Sequence, residues 1–231
     1  MNKKRVLVVA AHPDDEVLGC GGTIRKWHDC GAHIYALILA QGIAARGEEG
    51  ISLNKKIETL RTQAKTSADI AGYREITFED FPDNRMDSVD LLDIAQVVER
   101  YIKNYEPQII LTHHHGDLNV DHRLSYQAVI TACRPLLGYS VKGIYTYETP
   151  SATEWNFPYY KNNFSPNLFI DITNTLQAKI DAVSCYASEI RQAPHPRSLE
   201  NLRVLAAHWG SVAGLGYAEA FEQIYRIEGN L

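Results

Sequence analysis

The chain has 231 residues, 45% of them hydrophobic and 22% charged, which suits one large α/β domain with a full core. Its net charge of −5 provides no basic surface and argues against a nucleic-acid partner. The apolar run after the basic start is too short for a signal peptide, and no run approaches the ~20 apolar residues of a membrane span. The four cysteines form no CxxC pair, so we expect reduced thiols and a cytoplasmic protein.

Strand and helix patterns alternate along the chain, which predicts an α/β fold: a mostly parallel sheet with helices on both faces. Strands are predicted at 5–10, 33–39, 75–79, 108–112, 143–147 and 168–172. Helices are predicted at 15–28, 53–71, 88–104 (capped by Ser88), 124–137, 174–191 and 198–212. Any domain boundary would fall near 149–166, and the C-terminal part beyond it is too short for a second domain. We therefore expect a single domain, residues 1–231.

The first strand runs into Ala-His-Pro-Asp-Asp-Glu at 11–16, the first chemical motif. Pro13 can open a helix, which would place the carboxylates in its first turn, where the helix dipole favours negative charge. The motif would then lie at the carboxyl end of a parallel strand, where open α/β sheets bind ligands. A neutral imidazole and a nearby carboxylate suit Zn²⁺. The alternative is a helix-capping cluster, but a cap needs only one Asp.

A catalytic zinc site has three protein ligands and one open position for water. His12 and Asp15 could supply two, and Asp121-His122, after the strand at 108–112, is the best source of the third. Asp14 lies between the first two ligands and can act as the base for the water. Glu16 is expected to support the ligands or to cap the helix.

Two further motifs allow more than one interpretation. His113, His114 and His115 cannot all serve one metal, because successive residues point in different directions. One buried, hydrogen-bonded histidine and two loop histidines are expected there. The glycines of Gly-Cys-Gly-Gly at 19–22 resemble a degraded dinucleotide fingerprint. Close helix–sheet packing is the favoured interpretation, because two preceding carboxylates would repel a pyrophosphate.

Loop residues are candidates for the rest of the site. Arg46, Asp83 and Arg197 could contact a substrate, although the first two could equally be solvated charges. His195 lies between Pro194 and Pro196, which stiffen the backbone around it. A positioned ring suits a proton donor or an oxyanion contact; the alternative is a histidine that only fixes a turn.

These motifs resemble those of the PIG-L/LmbE-like family of zinc-dependent N-deacetylases. The resemblance covers nearly the whole chain and is carried by 11–16, 19–22, 117–123, 195–198 and 217–221. It implies a Rossmann-like fold with a smaller C-terminal part, and a homo-oligomer, trimeric or hexameric. It implies release of acetate from an N-acetylated amino sugar or its conjugate. The roles it implies are zinc ligands at His12, Asp15 and His122, with Asp14 as general base.

Two positions depart from the family pattern. Many members carry a histidine where this chain has Asn119, and Asn can donate a hydrogen bond to an oxyanion but cannot shuttle a proton. The acid role would then fall to Asp14, to His195 or to the histidine triplet. Relatives often carry Asp where this chain has Gln41, which affects an expected substrate contact. Two other functions stay open: a zinc hydrolase of another small amide or thiol conjugate, and a non-catalytic nucleotide-binding module.

Overall fold

The computed structural model describes residues 3–43, 51–157 and 163–228. These parts contain seven strands and six α-helices. The strands are β1 Arg5–Ala10, β2 His33–Ala40, β3 Glu75–Phe81, β4 Ile109–His113, β5 Gly143–Tyr147, β6 Leu168–Asp171 and β7 Ala218–Arg226. The helices are α1 Asp15–Asp29, α2 Ile51–Ala71, α3 Leu91–Tyr105, α4 Val120–Ala132, α5 Leu176–Ser184 and α6 Leu199–Ala213. Within these ranges no helix is long and apolar enough to cross a bilayer.

The seven strands form one sheet in the order β3-β2-β1-β4-β5-β7-β6. Strands β1 to β5 are parallel, whereas β7 runs antiparallel between β5 and β6. The predicted α/β class and mostly parallel sheet are confirmed, and the Rossmann-like description applies to the parallel part. Strand β7 was not predicted. Its buried positions include Glu219 and Glu222, so charged residues conceal its period in the sequence.

Side chains of β1 alternate between two apolar layers, as period-2 geometry requires. Val6 and Val8 pack in the layer formed with α1, α2, α5 and α6. Leu7 and Val9 pack in the opposite layer with α3 and α4. Helices therefore cover both faces, as predicted.

Strand order reverses at β1 and β4, which are neighbours in the sheet although about a hundred residues separate them. Their carboxyl ends therefore open side by side. Open α/β sheets bind ligands in the crevice outside such a switch point. The two chemical motifs of the sequence come directly after these two strands.

Several predicted helix boundaries were wrong. Helix α1 begins at Asp15, as predicted, but Pro13 precedes it rather than opening it; Asp14 is the N-cap residue with φ 111°, and Asp15 and Glu16 lie in the first turn. Helix α4 begins at Val120, four residues before the predicted start, because the side chain of Asn119 accepts a hydrogen bond from Asp121 N and caps it. Ser88 lies in a 3₁₀ turn, and α3 begins only at Leu91. Helix α5 is shorter at both ends than predicted.

The glycines of 19–22 allow close packing of α1 on the sheet, in agreement with the favoured interpretation. A Cβ on Gly19 would lie 2.1 Å from the Tyr147 ring, and one on Gly22 would lie 2.9 Å from Ile172. Helix α1 kinks at Cys20, with φ −142°, and amide groups beyond the kink need acceptors. Glu219 of β7 accepts hydrogen bonds from Gly22 N and Thr23 N. Lys179 of α5 donates to the same carboxylate at 2.6 Å.

We predict that Gly19→Ala lowers the free energy of unfolding by about 1–3 kcal/mol, because the tightly packed Tyr147 ring must move. Urea denaturation measures this change. Gly21→Ala is the matched control, since the atoms nearest to its Cβ would be Val17 Cβ at 3.3 Å and Lys179 Cγ at 3.4 Å, much farther than the Tyr147 ring is from a Cβ on Gly19. Equal stability of the two variants would contradict the packing role of Gly19.

Candidate metal centre

The loop after β1 and the start of α4 bring three donor side chains together. His12 Nδ1 and His122 Nε2 each lie 3.3 Å from Asp15 Oδ2. One ligand atom from each of the three residues lies within 4.8 Å of the others. The backbone N–H of His12 also donates to Asp15 Oδ2 at 2.9 Å, which fixes the carboxylate across the turn. The structure thus brings together the three residues expected to be the zinc ligands.

Each histidine has a carboxylate beside its other ring nitrogen. His12 Nε2 lies 3.0 Å from Asp121 Oδ2, and His122 Nδ1 lies 3.1 Å from Asp117 Oδ2. Carboxylates in this position orient a metal-binding imidazole and raise its basicity. The orientation leaves His12 Nδ1 and His122 Nε2 facing Asp15, the nitrogens a shared ion would use.

Backbone and side-chain groups of neighbouring loops hold both supporting carboxylates in place, and the sequence did not indicate these contacts. Asp121 accepts hydrogen bonds from Asn84 N at 2.6 Å and from Met86 N at 3.0 Å. Asp117 accepts from Thr153 Oγ1 at 2.7 Å and from the Asn119 N–H at 2.8 Å. Asp117 was missed as a site residue. Its signal was the pair of carboxylates five and one residues before His122, in the segment Asp-Leu-Asn-Val-Asp-His at 117–122.

The donor set fits a divalent cation. Asp15 Oδ1 and His122 Nε2 are buried, and among the described residues neither has a hydrogen-bond partner. Four fully or nearly fully buried carboxylates approach His12 and His122: Asp15, Asp83, Asp117 and Asp121. Uncompensated charge is costly in a protein interior. Burial lowers the pKa of both imidazoles, but the carboxylates outweigh it and raise the pKa of His12 to about 10 and that of His122 to about 9.

Asp83, expected to contact substrate, has its Oδ1 3.3 Å from His12 Nε2. His12, Asp83 and Asp121 therefore form a second group of possible metal donors, which shares His12 with the first group. Asp121 already uses both oxygens for backbone amides, which favours it as a support rather than a ligand. Asp83 also accepts a hydrogen bond from Asn84 Nδ2.

Asp14 lies beside the metal donors and is almost fully buried. Its N–H donates to Glu16 Oε2 at 2.9 Å, and the Tyr186 hydroxyl donates to the other oxygen of Glu16. Arg197 Nη1 donates to Asp14 Oδ2 at 2.8 Å. Burial raises the pKa of Asp14 well above its usual range, and the Arg197 guanidinium opposes that rise.

Arg197, expected to contact substrate, also donates through Nε to Ser151 Oγ at 2.8 Å. The backbone N–H of Arg197 donates to His195 Nδ1 at 3.1 Å. The proton of a neutral His195 ring therefore lies on Nε2. Burial and the neighbouring Arg197 lower the pKa of His195. Asn119 donates through Nδ2 to Asn84 Oδ1. Arg46 lies outside the described residues.

The histidine triplet divides between two faces of the β4 end. His113 Nε2 accepts a hydrogen bond from Ala11 N, its Nδ1 faces Thr149 Oγ1, and its ring stacks on His122 at 3.9 Å. Burial lowers the pKa of His113 to about 3, so the ring is neutral and supports the loop. His114 is also fully buried, at 2.9 Å from Glu222. The expectation of a single buried histidine was therefore wrong, because β7 supplies a partner that the sequence did not reveal.

The family profile of the GlcNAc-PI de-N-acetylases, PIG-L, matches residues 7–133, more than half of the chain and both chemical motifs. The chain belongs to the PIG-L family. A diacetylchitobiose deacetylase from Thermococcus kodakarensis is 28% identical over 227 residues, covering 94% of this chain and 81% of that protein.

Two further proteins extend the comparison. A solved N,N'-diacetylchitobiose deacetylase from Pyrococcus horikoshii shares the fold, with a TM-score of 0.77, 22% identity, and coverage of 97% of this chain and 85% of that chain. A 4-oxalmesaconate hydratase from Pseudomonas putida is 29% identical over 210 residues, covering 81% of this chain and 74% of that protein.

We predict that metal binding at neutral pH releases about two protons, because a ligand imidazole must be neutral and the carboxylates keep both histidines protonated in the metal-free protein. Raised pKa values mean that the release decreases as pH rises through about 9 and about 10. Isothermal titration of the metal-free protein in buffers of different ionisation enthalpy counts these protons. Heats independent of buffer would contradict this donor assignment.

Proposed function

We propose that the protein is a zinc-dependent N-deacetylase that removes the acetyl group from an N-acetylated amino sugar or a conjugate of one. The observation that supports this most is the buried Asp14 carboxylate, fixed by Arg197 beside the donor set of His12, Asp15 and His122. Two imidazoles and a carboxylate are a donor set that Zn²⁺ accepts in hydrolases. The activity for which the Thermococcus kodakarensis relative is named supports the substrate class.

Asp14 is built to act as the general base. Its φ of 111° places an L-residue in a sparsely populated backbone region, which costs of order 1–3 kcal/mol. The Asp14 N–H···Glu16 bond and the Arg197 ion pair stabilise this conformation. The strained turn directs two successive carboxylates differently, so that Asp15 can bind the metal while Asp14 faces the reacting water.

A zinc ion bound to the three ligands would act as a Lewis acid toward the acetamide carbonyl and lower the pKa of water. Asp14 accepts a proton from the attacking water while the water oxygen bonds to the carbonyl carbon. The protonated Asp14 then delivers that proton to the departing amine as the C–N bond breaks. One carboxylate thus serves as base and then as acid, and its raised pKa suits both steps.

His195 is proposed as a hydrogen-bond donor to the developing oxyanion rather than as the acid. Its lowered pKa leaves the ring neutral at neutral pH, and the Arg197 N–H fixes the tautomer with the proton on Nε2. A neutral imidazole donates a hydrogen bond well but releases its proton reluctantly. The loop that carries His195 also carries Arg197, the partner of Asp14.

Substrate contacts are proposed for Arg46 and Asp83, and Asn119 is proposed to donate a hydrogen bond to the oxyanion. Asp83 and Asn119 follow β3 and β4 at the carboxyl edge of the sheet. Arg197 is proposed to position Asp14, because its Nη1 and Nε donate to Asp14 and Ser151 respectively. Zinc as the metal, assembly into a trimer or hexamer, and a cytoplasmic location stay predictions.

We predict that Asp14→Asn retains the metal and loses at least about a hundredfold in kcat, because Asn cannot accept the proton of water. Acetate release is measured over a panel of N-acetyl sugars and sugar conjugates, and metal content is measured on the same samples. The matched control is Asp69→Asn, an exposed carboxylate on α2. A loss of less than about tenfold would remove Asp14 from the role of base.

The same set of assays distinguishes deacetylation from hydration. Because one relative is named a 4-oxalmesaconate hydratase, hydration of 4-oxalmesaconate is assayed beside acetate release. Hydration without acetate release from any N-acetyl sugar would overturn the proposed function. A protein without stoichiometric metal would favour the non-catalytic nucleotide-binding alternative.

We predict that His195→Ala keeps the metal and lowers kcat by about 10²–10³-fold, the cost of one oxyanion donor. His195→Gln restores part of the rate, since an amide N–H can donate where an acid is not needed. Steady-state kinetics of both variants test this assignment. If His195→Gln is as slow as His195→Ala and the high-pH limb of kcat moves, His195 transfers a proton instead.

A further inference from the structure

We propose a second cation site, separate from the catalytic centre, formed by His114, His115 and Glu222. One ligand atom from each of these residues lies within 4.8 Å of the others. Two imidazoles and one carboxylate suit Zn²⁺ or a similar first-row divalent ion. The site goes beyond the proposed function and does not depend on it.

The fold brings these three residues together from two ends of the chain. Strand β4 ends at His113, and the chain turns so that the rings of His114 and His115 lie 4.3 Å apart. Glu222 lies on β7, directly opposite Thr146 of the intervening strand β5. His114 Nδ1 lies 2.9 Å and His115 Nδ1 lies 4.0 Å from Glu222 Oε2. Both Nδ1 atoms are thus near the same carboxylate oxygen.

His115 carries the observation that points to a ligand. Its Nδ1 is buried, and in the described parts of the chain it has no hydrogen-bond partner, although the rest of its side chain is 39% exposed. An unsatisfied buried nitrogen is costly unless something occupies its lone pair. The exposed part of the ring gives an ion access from solvent.

The surroundings of the cluster provide what a metal site requires. Ser165 N donates to Glu222 Oε1 at 2.6 Å, and Thr146 Oγ1 donates to Oε2 at 3.4 Å, so the carboxylate is oriented from outside the cluster. Burial lowers the pKa of His115. Burial acts to raise the pKa of Glu222, but hydrogen bonds from His114 and Ser165 hold it below its usual value. The imidazole is therefore neutral and the carboxylate ionised.

A simpler interpretation is that the His114–Glu222 pair only ties the loop after β4 to β7. That pair accounts for His114 and for Glu222. It does not account for the second imidazole, whose buried nitrogen also lies near the carboxylate. A bound ion satisfies all three side chains.

The two sites lie on opposite sides of the β4 end. His113 stacks on His122 of the catalytic centre, whereas His114 and His115 pack near Phe164 and Tyr126 respectively. The loop that leaves the second site continues to Asp117, the carboxylate beside His122 Nδ1. A cation at the second site would link this loop to β7 and stabilise it.

The test is a zinc titration of the full chain after removal of metal with a chelator, followed by calorimetry. We expect about two zinc ions per chain for the natural sequence. His115→Ala should bind about one and keep its acetate release, since His115 touches no proposed catalytic group. His208→Ala, which changes an exposed histidine on α6, is the control and should bind as many ions as the natural sequence.

Glu222→Gln keeps the shape of the side chain and should also lose one ion, while circular dichroism checks that it folds. His12→Ala removes a ligand of the catalytic centre and should still bind one ion, and zinc should raise its Tm. In the double variant His12→Ala/His115→Ala, zinc should no longer raise the Tm. One ion bound by the natural sequence, or an unchanged count in His115→Ala, would overturn the proposal. Two ions without any acetate release would leave the second site standing and contradict the proposed function instead.

Discussion

Burial of Asp15 against the imidazoles of His12 and His122 is the interaction on which the site depends. A carboxylate in that position needs positive charge close by, and each imidazole needs an acceptor on its other nitrogen. The second requirement brings in Asp121 beside His12 and Asp117 beside His122. Those carboxylates in turn require the amides of the 84–86 loop and the hydroxyl of Thr153. One buried charge therefore organises loops from four parts of the chain around the switch point of the sheet.

The C-terminal strand supports this centre although it contributes none of its ligands. Glu219 accepts the amides that the kink in α1 leaves open and pairs with Lys179 of α5. The last strand of the sheet thus anchors α1, the helix that follows the first motif. Glu222, on the same strand, fixes His114 after β4. Strand β7 links the ends of β1 and β4 to the helices of the C-terminal part, which explains why two of its buried positions are acidic.

Asp14, the proposed base, has a strained backbone conformation that neighbouring side chains hold in place. A left-handed φ at Asp14 is unfavourable, and the structure maintains it through Glu16, Tyr186 and Arg197. Such conformations persist where the surroundings over-determine them, and they are common at reacting centres. The arrangement lets adjacent carboxylates serve different purposes at one turn. It also makes Asp14 dependent on a residue 183 positions away in the sequence.

The sequence by itself determined the alternation of strands and helices, the packing role of the glycines at 19–22, and the meeting of the 11–16 motif with Asp121-His122; the choice of His122 came from the family resemblance. These features arise from local periodicity, from motif spacing and from the rule that parallel strands end at one edge. Only the tertiary structure decided which ring nitrogen of His122 faces Asp15, that Arg197 pairs with Asp14, and that His114 and His115 meet Glu222. It also decided that β7 enters the sheet antiparallel between β5 and β6. Those features depend on contacts between distant segments, and the charged residues that make them interrupt the apolar pattern from which a strand is recognised.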